Sequence, residues 1–184
     1  MNAPKQILKW ALITIISFTS FNLFISSKYK VERSVKIDDP ENIAYGEVAD
    51  LKLWKNWSGW LKNDNTMTIE YDGQKNGKYS VMKWKELESE GSLEIVKSSL
   101  YNSINIEMSL NGMLTSYGFW TFEKEGVFTN VTCIITGEIP FYMSFMTLFI
   151  DEDLGEKLEM DLADLKRNCE LKHLDSFLTI NLNH

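Results

Sequence analysis

Hydrophobic and polar positions follow three different patterns along this chain, and each pattern predicts a different kind of element. From Ile7 to Ile25 the sequence runs for 19 residues with a single charge, Lys9. A helix of this length spans about 28 Å, which is close to the ~30 Å hydrocarbon core of a bilayer. We therefore predict that residues 1–28 form a membrane anchor with one transmembrane helix. A cleaved signal peptide, which has the same basic start and apolar run, is one alternative, and a buried soluble helix is another.

Alternating positions predict β-strands through the middle of the chain. The run YKVERSVKID has apolar residues at every second position from Tyr29 to Ile37, except that Arg33 falls among them. Arg33 is either an edge residue whose charged head reaches water or a cation that points into a cavity. Six further runs have the same period, and short polar turns such as DGQKNG separate them. Seven strands with short connections predict an antiparallel meander.

A helical period replaces the alternation beyond Pro140. Apolar residues recur three or four positions apart at Leu154, Leu158, Leu162, Leu165 and Cys169. This spacing predicts a long amphipathic helix over about residues 143–172, followed by a tail of residues 173–184. We thus predict an α+β fold in which a seven-stranded antiparallel sheet curves around the C-terminal helix. Since one helix cannot fill the concave face of such a sheet, we expect a cavity between them.

The segment LKLWKNWSGWLKND, residues 51–64, is unusually rich in tryptophan. It contains Trp54, Trp57 and Trp60, which would share one helical face at 100° per residue. These side chains either close one end of the core or form part of the wall or mouth of the cavity. The pairs 58–59 (Ser-Gly) and 63–64 (Asn-Asp) indicate a bent, adjustable lid. The full set of candidate cavity residues is Arg33, Trp54, Trp57, Trp60, Tyr71, Trp84, Trp120, Phe122 and Leu158.

The net charge and the cysteine spacing of the chain limit the kinds of partner and cofactor that we expect. A formal net charge of −7 repels a phosphate backbone, so we expect no nucleic acid partner. Cys133 and Cys169 match no metal-ligand spacing and fit two buried thiols better than a disulfide. We therefore expect neither a metal nor a cofactor.

Basic residues such as Lys5 and Lys28 flank both ends of the apolar run, which constrains its orientation only weakly, and we expect the domain outside the cytoplasm.

Catalytic chemistry has little support in the sequence. There is no G-x-S-x-G, H-E-x-x-H or phosphate-binding glycine motif. Both histidines, His173 and His184, fall at the C-terminal end, so a serine or cysteine nucleophile has no evident base. We assign no catalytic residues. An enzyme that uses Arg33 with Tyr71 as acid or electrophile stays open.

Taken in order, these segments resemble the START-like superfamily of polyketide cyclase/dehydrase and lipid-transport proteins (SRPBCC type), which have the helix-grip fold. VERSVKIDDPENI resembles the opening strand and first helix, and DLKLWKNWSGW the tryptophan-rich segment. YDGQKNGKYSVMKW is similar to the glycine-containing hairpin, NVTCIITGEIPF to the last strand and LGEKLEMDLADLKRNCE to the closing helix. The resemblance covers residues 29–172. Asp161 departs from it, because members often have a glycine there that lets the helix approach the sheet.

The resemblance implies a membrane-anchored START-like domain that binds a lipid or another hydrophobic small molecule in a cavity between the sheet and the C-terminal helix. The expected partners are this ligand and the membrane that the N-terminal helix would cross. Members of the superfamily also include enzymes, so a polyketide cyclase/dehydrase-like or hydrolase-like activity on such a ligand is one alternative. An interaction domain with a vestigial cavity is another.

Overall fold

The computed structural model describes residues 3–62, 66–87 and 89–182. Within these ranges seven strands form a single antiparallel sheet. The strands are β1 (Lys28–Ile37), β2 (Thr68–Gly73), β3 (Ser80–Lys85), β4 (Glu90–Ser99), β5 (Ser103–Leu110), β6 (Leu114–Glu125) and β7 (Phe128–Glu138). The helices are α1 (Ala3–Leu23), α2 (Glu41–Ala49), α3 (Gly59–Lys62) and α4 (Thr147–Leu182). The predicted fold class, α+β with the sheet curved around a long C-terminal helix, is confirmed.

The strand order is β1-β7-β6-β5-β4-β3-β2, so β1 and β2 are the two edges of the sheet. Strands β2 to β7 follow one another as hairpins, because the five turns between them are short and four of them contain glycine or asparagine. In the β5–β6 turn both Asn111 and Gly112 have positive φ, a conformation that these two residue types adopt most easily. The chain between β1 and β2, which contains the tryptophan-rich segment, crosses from one edge to the other.

Helix α4 packs its apolar stripe against the inner face of the sheet. Leu158, Leu162, Leu165 and Cys169 are buried in one core cluster with inward-facing strand residues such as Val31 and Met82. The predicted bounds of 143–172 are corrected at both ends. Residues Phe141–Met146 form a 3-10 helix after Pro140, and α4 then continues to Leu182 because no glycine or proline follows to end it.

Helix α1 projects its apolar side chains outward. Ile7, Leu8 and Trp10 are all exposed. The stretch Pro4–Leu23 is long and apolar enough to cross a membrane, and a signal sequence would have the same length and composition. The predicted N-terminal apolar helix is therefore present, at the position expected from the sequence.

Candidate functional site

Three indole rings meet in the interior of the helix-grip domain. Trp54 lies in a 3-10 helix (Trp54–Asn56), Trp57 directly follows it, and Trp120 points inward from β6. The ring centroids are 4.9 Å apart for Trp54 and Trp57, 6.1 Å for Trp54 and Trp120, and 5.9 Å for Trp57 and Trp120. All three side chains are buried. We call these three residues the tryptophan cluster.

The three indole N–H groups of the cluster differ in their partners. Trp54 Nε1 donates to the Val48 carbonyl oxygen at 2.9 Å, and Trp57 Nε1 donates to the Glu47 carbonyl oxygen at 3.4 Å. Both carbonyls belong to the last turns of α2, which lies directly before the tryptophan-rich segment. Trp120 Nε1 is buried and has no hydrogen-bond partner among the described residues. One donor in the middle of an aromatic interior is thus left unsatisfied.

Trp60 does not join the cluster, which corrects the prediction that the three neighbouring tryptophans share one face. Its ring packs on Trp84 of β3, with a centroid distance of 5.0 Å. The helical rotation is interrupted because the 3-10 helix ends at Asn56 and α3 begins only at Gly59. Trp84 in turn lies close over Gly91 of β4, where an added Cβ would come within 2.2 Å of the indole. Glycine at this position is therefore needed for the ring to lie flat against the neighbouring strand.

Phe122 and Leu158 also point into the interior, from the sheet and from α4 respectively. Phe122 of β6 packs edge-on against Tyr45 of α2, with ring centroids 5.5 Å apart. Leu158 enters the same core from α4. Together with the cluster, these residues make the space between sheet and helix strongly aromatic.

Tyr71 lies outside this interior, beside a groove at the β2 edge of the sheet. The groove has a volume of about 240 Å³ and is lined by Leu51, Lys52, 71–75, Ser80 and Val81. Lys52 Nζ lies 5.6 Å from the centre of the Tyr71 ring, and burial raises the pKa of the Tyr71 hydroxyl, as does the charge of Asp50. The Ser80 hydroxyl is buried and has no partner among the described residues. This groove separates the start of the tryptophan-rich segment from the sheet edge.

Arg33 lies at the opposite edge, where β1 contacts α4. Its Nε donates to Glu159 Oε1 at 2.6 Å and its Nη1 donates to Asp151 Oδ1 at 3.1 Å. Gly155 lies directly beneath the guanidinium, and an added Cβ there would come within 2.0 Å of Arg33 Nη2. Arg33 and Tyr71 therefore lie on the two different edge strands of the sheet, and Arg33 is paired with two carboxylates of α4.

Asp161 links α4 to the tryptophan-rich segment. Its carboxylate accepts hydrogen bonds from the Gly59 N–H at 2.7 Å and from the Ser58 hydroxyl at 3.1 Å. The carboxylate thus fills the space that a glycine would leave open and holds the start of α3 against α4. Of the predicted lid residues, 58–59 are fixed by this contact, and 63–64 lie outside the described residues. The sequence marked Asp161 as unusual but gave no sign of its partners.

The Asp161 contact predicts a dependence of stability on pH. Burial raises the pKa of the Asp161 carboxyl, although the hydrogen bonds from Gly59 and Ser58 oppose the shift. A carboxyl whose pKa is higher in the folded state stabilises the fold most when protonated, so this contribution falls as pH rises from about 4 through the raised value. Asp161→Asn keeps an acceptor for Gly59 and removes the titration. We expect it to be at least as stable as the native chain at pH 7.

Asp161→Ala is the contrasting variant, because it leaves the partly buried Gly59 N–H and the buried Ser58 hydroxyl without an acceptor. We expect it to lose about 1–3 kcal/mol of unfolding free energy. Urea unfolding of both variants between pH 4 and pH 8 measures the effects. Equal losses for the asparagine and alanine variants at neutral pH would show that the hydrogen bonds are not the important part of the contact.

Metal chemistry has no candidate centre in the part of the chain that the structure describes, since no three His, Cys, Asp or Glu side chains are grouped there to hold an ion. His173 contacts the buried Asp39 at the far end of α4 rather than any residue of the tryptophan cluster. Both cysteines are buried free thiols. The features that distinguish the interior are therefore its aromatic rings and its unsatisfied N–H group.

Comparison with known proteins agrees with this architecture. No family model and no curated protein matches the sequence. Protein TTHA0849 from Thermus thermophilus is 18% identical with a TM-score of 0.58, and the match covers 78% of this chain and 98% of that one. Ara h 8.0201 is 11% identical with a TM-score of 0.55, over 77% of this chain and 97% of that one.

A third similar structure, DynU16 from the dynemicin biosynthetic locus, is 12% identical with a TM-score of 0.53. That match covers 77% of this chain and 47% of DynU16. At such identities the similarity shows the fold alone. The domain has a helix-grip fold, and the fold by itself does not give its function.

Proposed function

We propose that this chain is a membrane-anchored helix-grip domain that binds a lipid or another hydrophobic small molecule between the sheet and α4. The observation that carries the proposal is the indole N–H of Trp120. It is buried among aromatic rings and has no acceptor among the described residues. A ligand with an apolar body and one oxygen acceptor fits this environment.

The energetic argument rests on the contrast within the tryptophan cluster. Buried donors in native proteins are nearly always satisfied, and one left without a partner costs about 1–3 kcal/mol. The indole N–H groups of Trp54 and Trp57 are satisfied by carbonyl oxygens of α2. Hydrogen bonds therefore form in this interior where an acceptor is present. A hydroxyl, ester carbonyl or carboxylate oxygen next to Trp120 would remove the cost. The rings of the cluster would contact the apolar remainder of the ligand.

The groove beside Tyr71 is the proposed route to this interior. Its volume of about 240 Å³ is below the roughly 300–1,000 Å³ that is typical of ligand pockets. Binding therefore requires the tryptophan-rich segment to move away from the sheet edge. The segment is held to α4 by the Asp161 contacts and by the Lys62–Asp164 ion pair at 2.6 Å. The movement would break these part-buried polar contacts and loosen the packing of the buried Trp57, so contacts with the ligand must compensate for both losses.

Attachment to a membrane is supported by α1. Its stretch Pro4–Leu23 is long and apolar enough to cross a bilayer, and few of its side chains are buried against the domain. A retained α1 would place the domain beside a reservoir of apolar molecules. A lipid from that reservoir is therefore the ligand class that we favour.

A second candidate is an interaction domain whose interior is filled by its own side chains. The observation in its favour is that the cluster rings pack against one another and that Trp57 is only 1% exposed. In this case the missing hydrogen bond of Trp120 Nε1 would be a cost that the packing of the surrounding rings outweighs. The two candidates differ in whether the domain contains a bound molecule.

Native mass spectrometry of the full chain, released from phosphatidylcholine nanodiscs, tests the proposal. We expect a fraction of the protein to retain one lipid-sized molecule under conditions that remove loosely attached lipids. The Tyr117→Ala variant serves as a control, since Tyr117 is an exposed residue of β6 away from the groove. A chain that is always free of retained molecules, with an unchanged fold, would favour the filled interior instead.

A further inference from the structure

An exposed apolar surface surrounds the point where α1 meets the domain. Phe24, directly after α1, is 89% exposed, and Leu148, at the start of α4, is 61% exposed. The members of this surface, which we call the apolar foot, are Phe24, Phe141, Tyr142, Met146, Leu148 and Phe149. We propose that the apolar foot inserts into the headgroup region of the bilayer that α1 crosses. The inference rests on the membrane anchoring proposed for α1.

The apolar foot is held next to the last turn of α1 by specific contacts. The Phe145 N–H donates to Asn22 Oδ1 at 3.0 Å, and the Asn22 side chain is buried although it lies at the end of an apolar helix. The rings of Phe18 and Phe145 pack edge-on, with centroids 5.5 Å apart. Thr147 Oγ1 also donates to the Ser26 carbonyl oxygen at 3.0 Å. The 3-10 helix and the start of α4 therefore cannot move away from the point where α1 leaves the bilayer.

The composition of the foot suits the membrane interface better than water. Four of its six members are aromatic, and aromatic side chains are favoured at the level of the headgroups. An exposed cluster of this kind is uncommon on a soluble surface unless something covers it. The covalent connection to α1 keeps the bilayer within reach at all times. A lipid surface is for this reason the occupant that the geometry points to.

The charges next to the foot select the kind of lipid. Asp151, Glu152 and Asp153 follow Phe149 within one turn of α4, and of these Asp151 is paired with Arg33. Glu152 and Asp153 outnumber Lys28, the basic residue four positions after Phe24, so the charge beside the foot opposes close contact with anionic headgroups. We therefore infer that the foot lies against zwitterionic lipid and that the acidic turn marks where the domain leaves the surface.

Lipid-attached quenchers measure this contact directly. The variants Tyr142→Cys and Phe149→Cys of the full chain, which each add one exposed cysteine, are labelled with a small fluorophore and reconstituted in phosphatidylcholine vesicles with nitroxide-labelled lipids. The native thiols stay unlabelled because burial raises the pKa of Cys133 and raises that of Cys169 to about 12. Val127→Cys is the matched control. Val127 is also exposed but lies beyond the other end of β7, roughly 35 Å away along the strand.

We expect nitroxides close to the headgroups to reduce fluorescence at positions 142 and 149 and to leave position 127 unchanged. A further variant, Leu12→Cys, reports on α1 itself through nitroxides deep in the acyl chains. If the label at position 12 is quenched while the labels at 142 and 149 behave like the label at 127, the apolar foot does not insert, and the anchoring by α1 remains supported. If the label at position 12 is not quenched either, α1 does not cross the bilayer, and both the anchoring and the insertion of the foot are wrong. Labels at 142 and 149 that are shielded from lipid nitroxides and from an aqueous quencher alike would show that protein covers the foot, which also overturns the inference.

Discussion

Replacement of Trp57 by alanine is expected to lower the free energy of unfolding by about 3–5 kcal/mol, the range found when large aromatic core residues are truncated. Trp57 is 1% exposed and contacts the rings of both Trp54 and Trp120. Its removal also leaves the Glu47 carbonyl without the indole donor. Urea unfolding of the full chain in a mild detergent, followed by the far-UV circular dichroism of the sheet, measures the change.

Trp10→Ala is the matched control for this experiment. Trp10 lies on α1 and is 64% exposed, so the same substitution there removes no contact within the domain core. We expect its unfolding midpoint to equal that of the native chain. If Trp57→Ala is as stable as Trp10→Ala, the segment between β1 and β2 does not form part of the folded core.

The parts of the fold that could be predicted from sequence are those with local causes. Alternation along a strand reports which residues face the core, because neighbouring side chains point to opposite faces of the sheet. The leucine spacing of α4 works in the same way with a helical period. The ends of α4 were predicted less accurately because the sequence near Pro140 allows a 3-10 helix, and the tail 173–184 contains no glycine or proline. Local patterns therefore gave the elements but not all their limits.

The candidate site depends on contacts that no local pattern contains. The spacing of the three neighbouring tryptophans predicts a shared face, yet Trp57 meets Trp120 of β6 and Trp60 meets Trp84 of β3. These pairings follow from how the crossing segment lies over the sheet. Arg33 and Asp161 were both recognisable as unusual in the sequence. Their partners on α4 and at the start of α3 are more than 100 residues away in the chain, so only the tertiary structure identifies them.

The unsatisfied donor in the cluster leads to the prediction with the largest expected effect on binding. Trp120→Phe keeps an aromatic ring on β6 and removes the N–H group. We expect the variant to lose most of the molecule that the native chain retains in native mass spectrometry. Trp54→Phe removes the same atoms from a neighbouring ring. It differs in that the lost N–H group donates to the Val48 carbonyl within the protein rather than being free for a ligand.

The two variants are expected to rank in opposite orders for stability and for binding. Both lose similar ring volume, so their cavity terms are comparable. Trp54→Phe also leaves a buried carbonyl without its donor, whereas Trp120→Phe removes a donor that already lacks a partner, a difference of about 1–3 kcal/mol in unfolding free energy. We therefore expect Trp54→Phe to be the less stable protein and Trp120→Phe to be the poorer binder. If Trp120→Phe instead retains the molecule as well as the native chain does, the indole N–H has no part in binding, and the molecule is held by other residues.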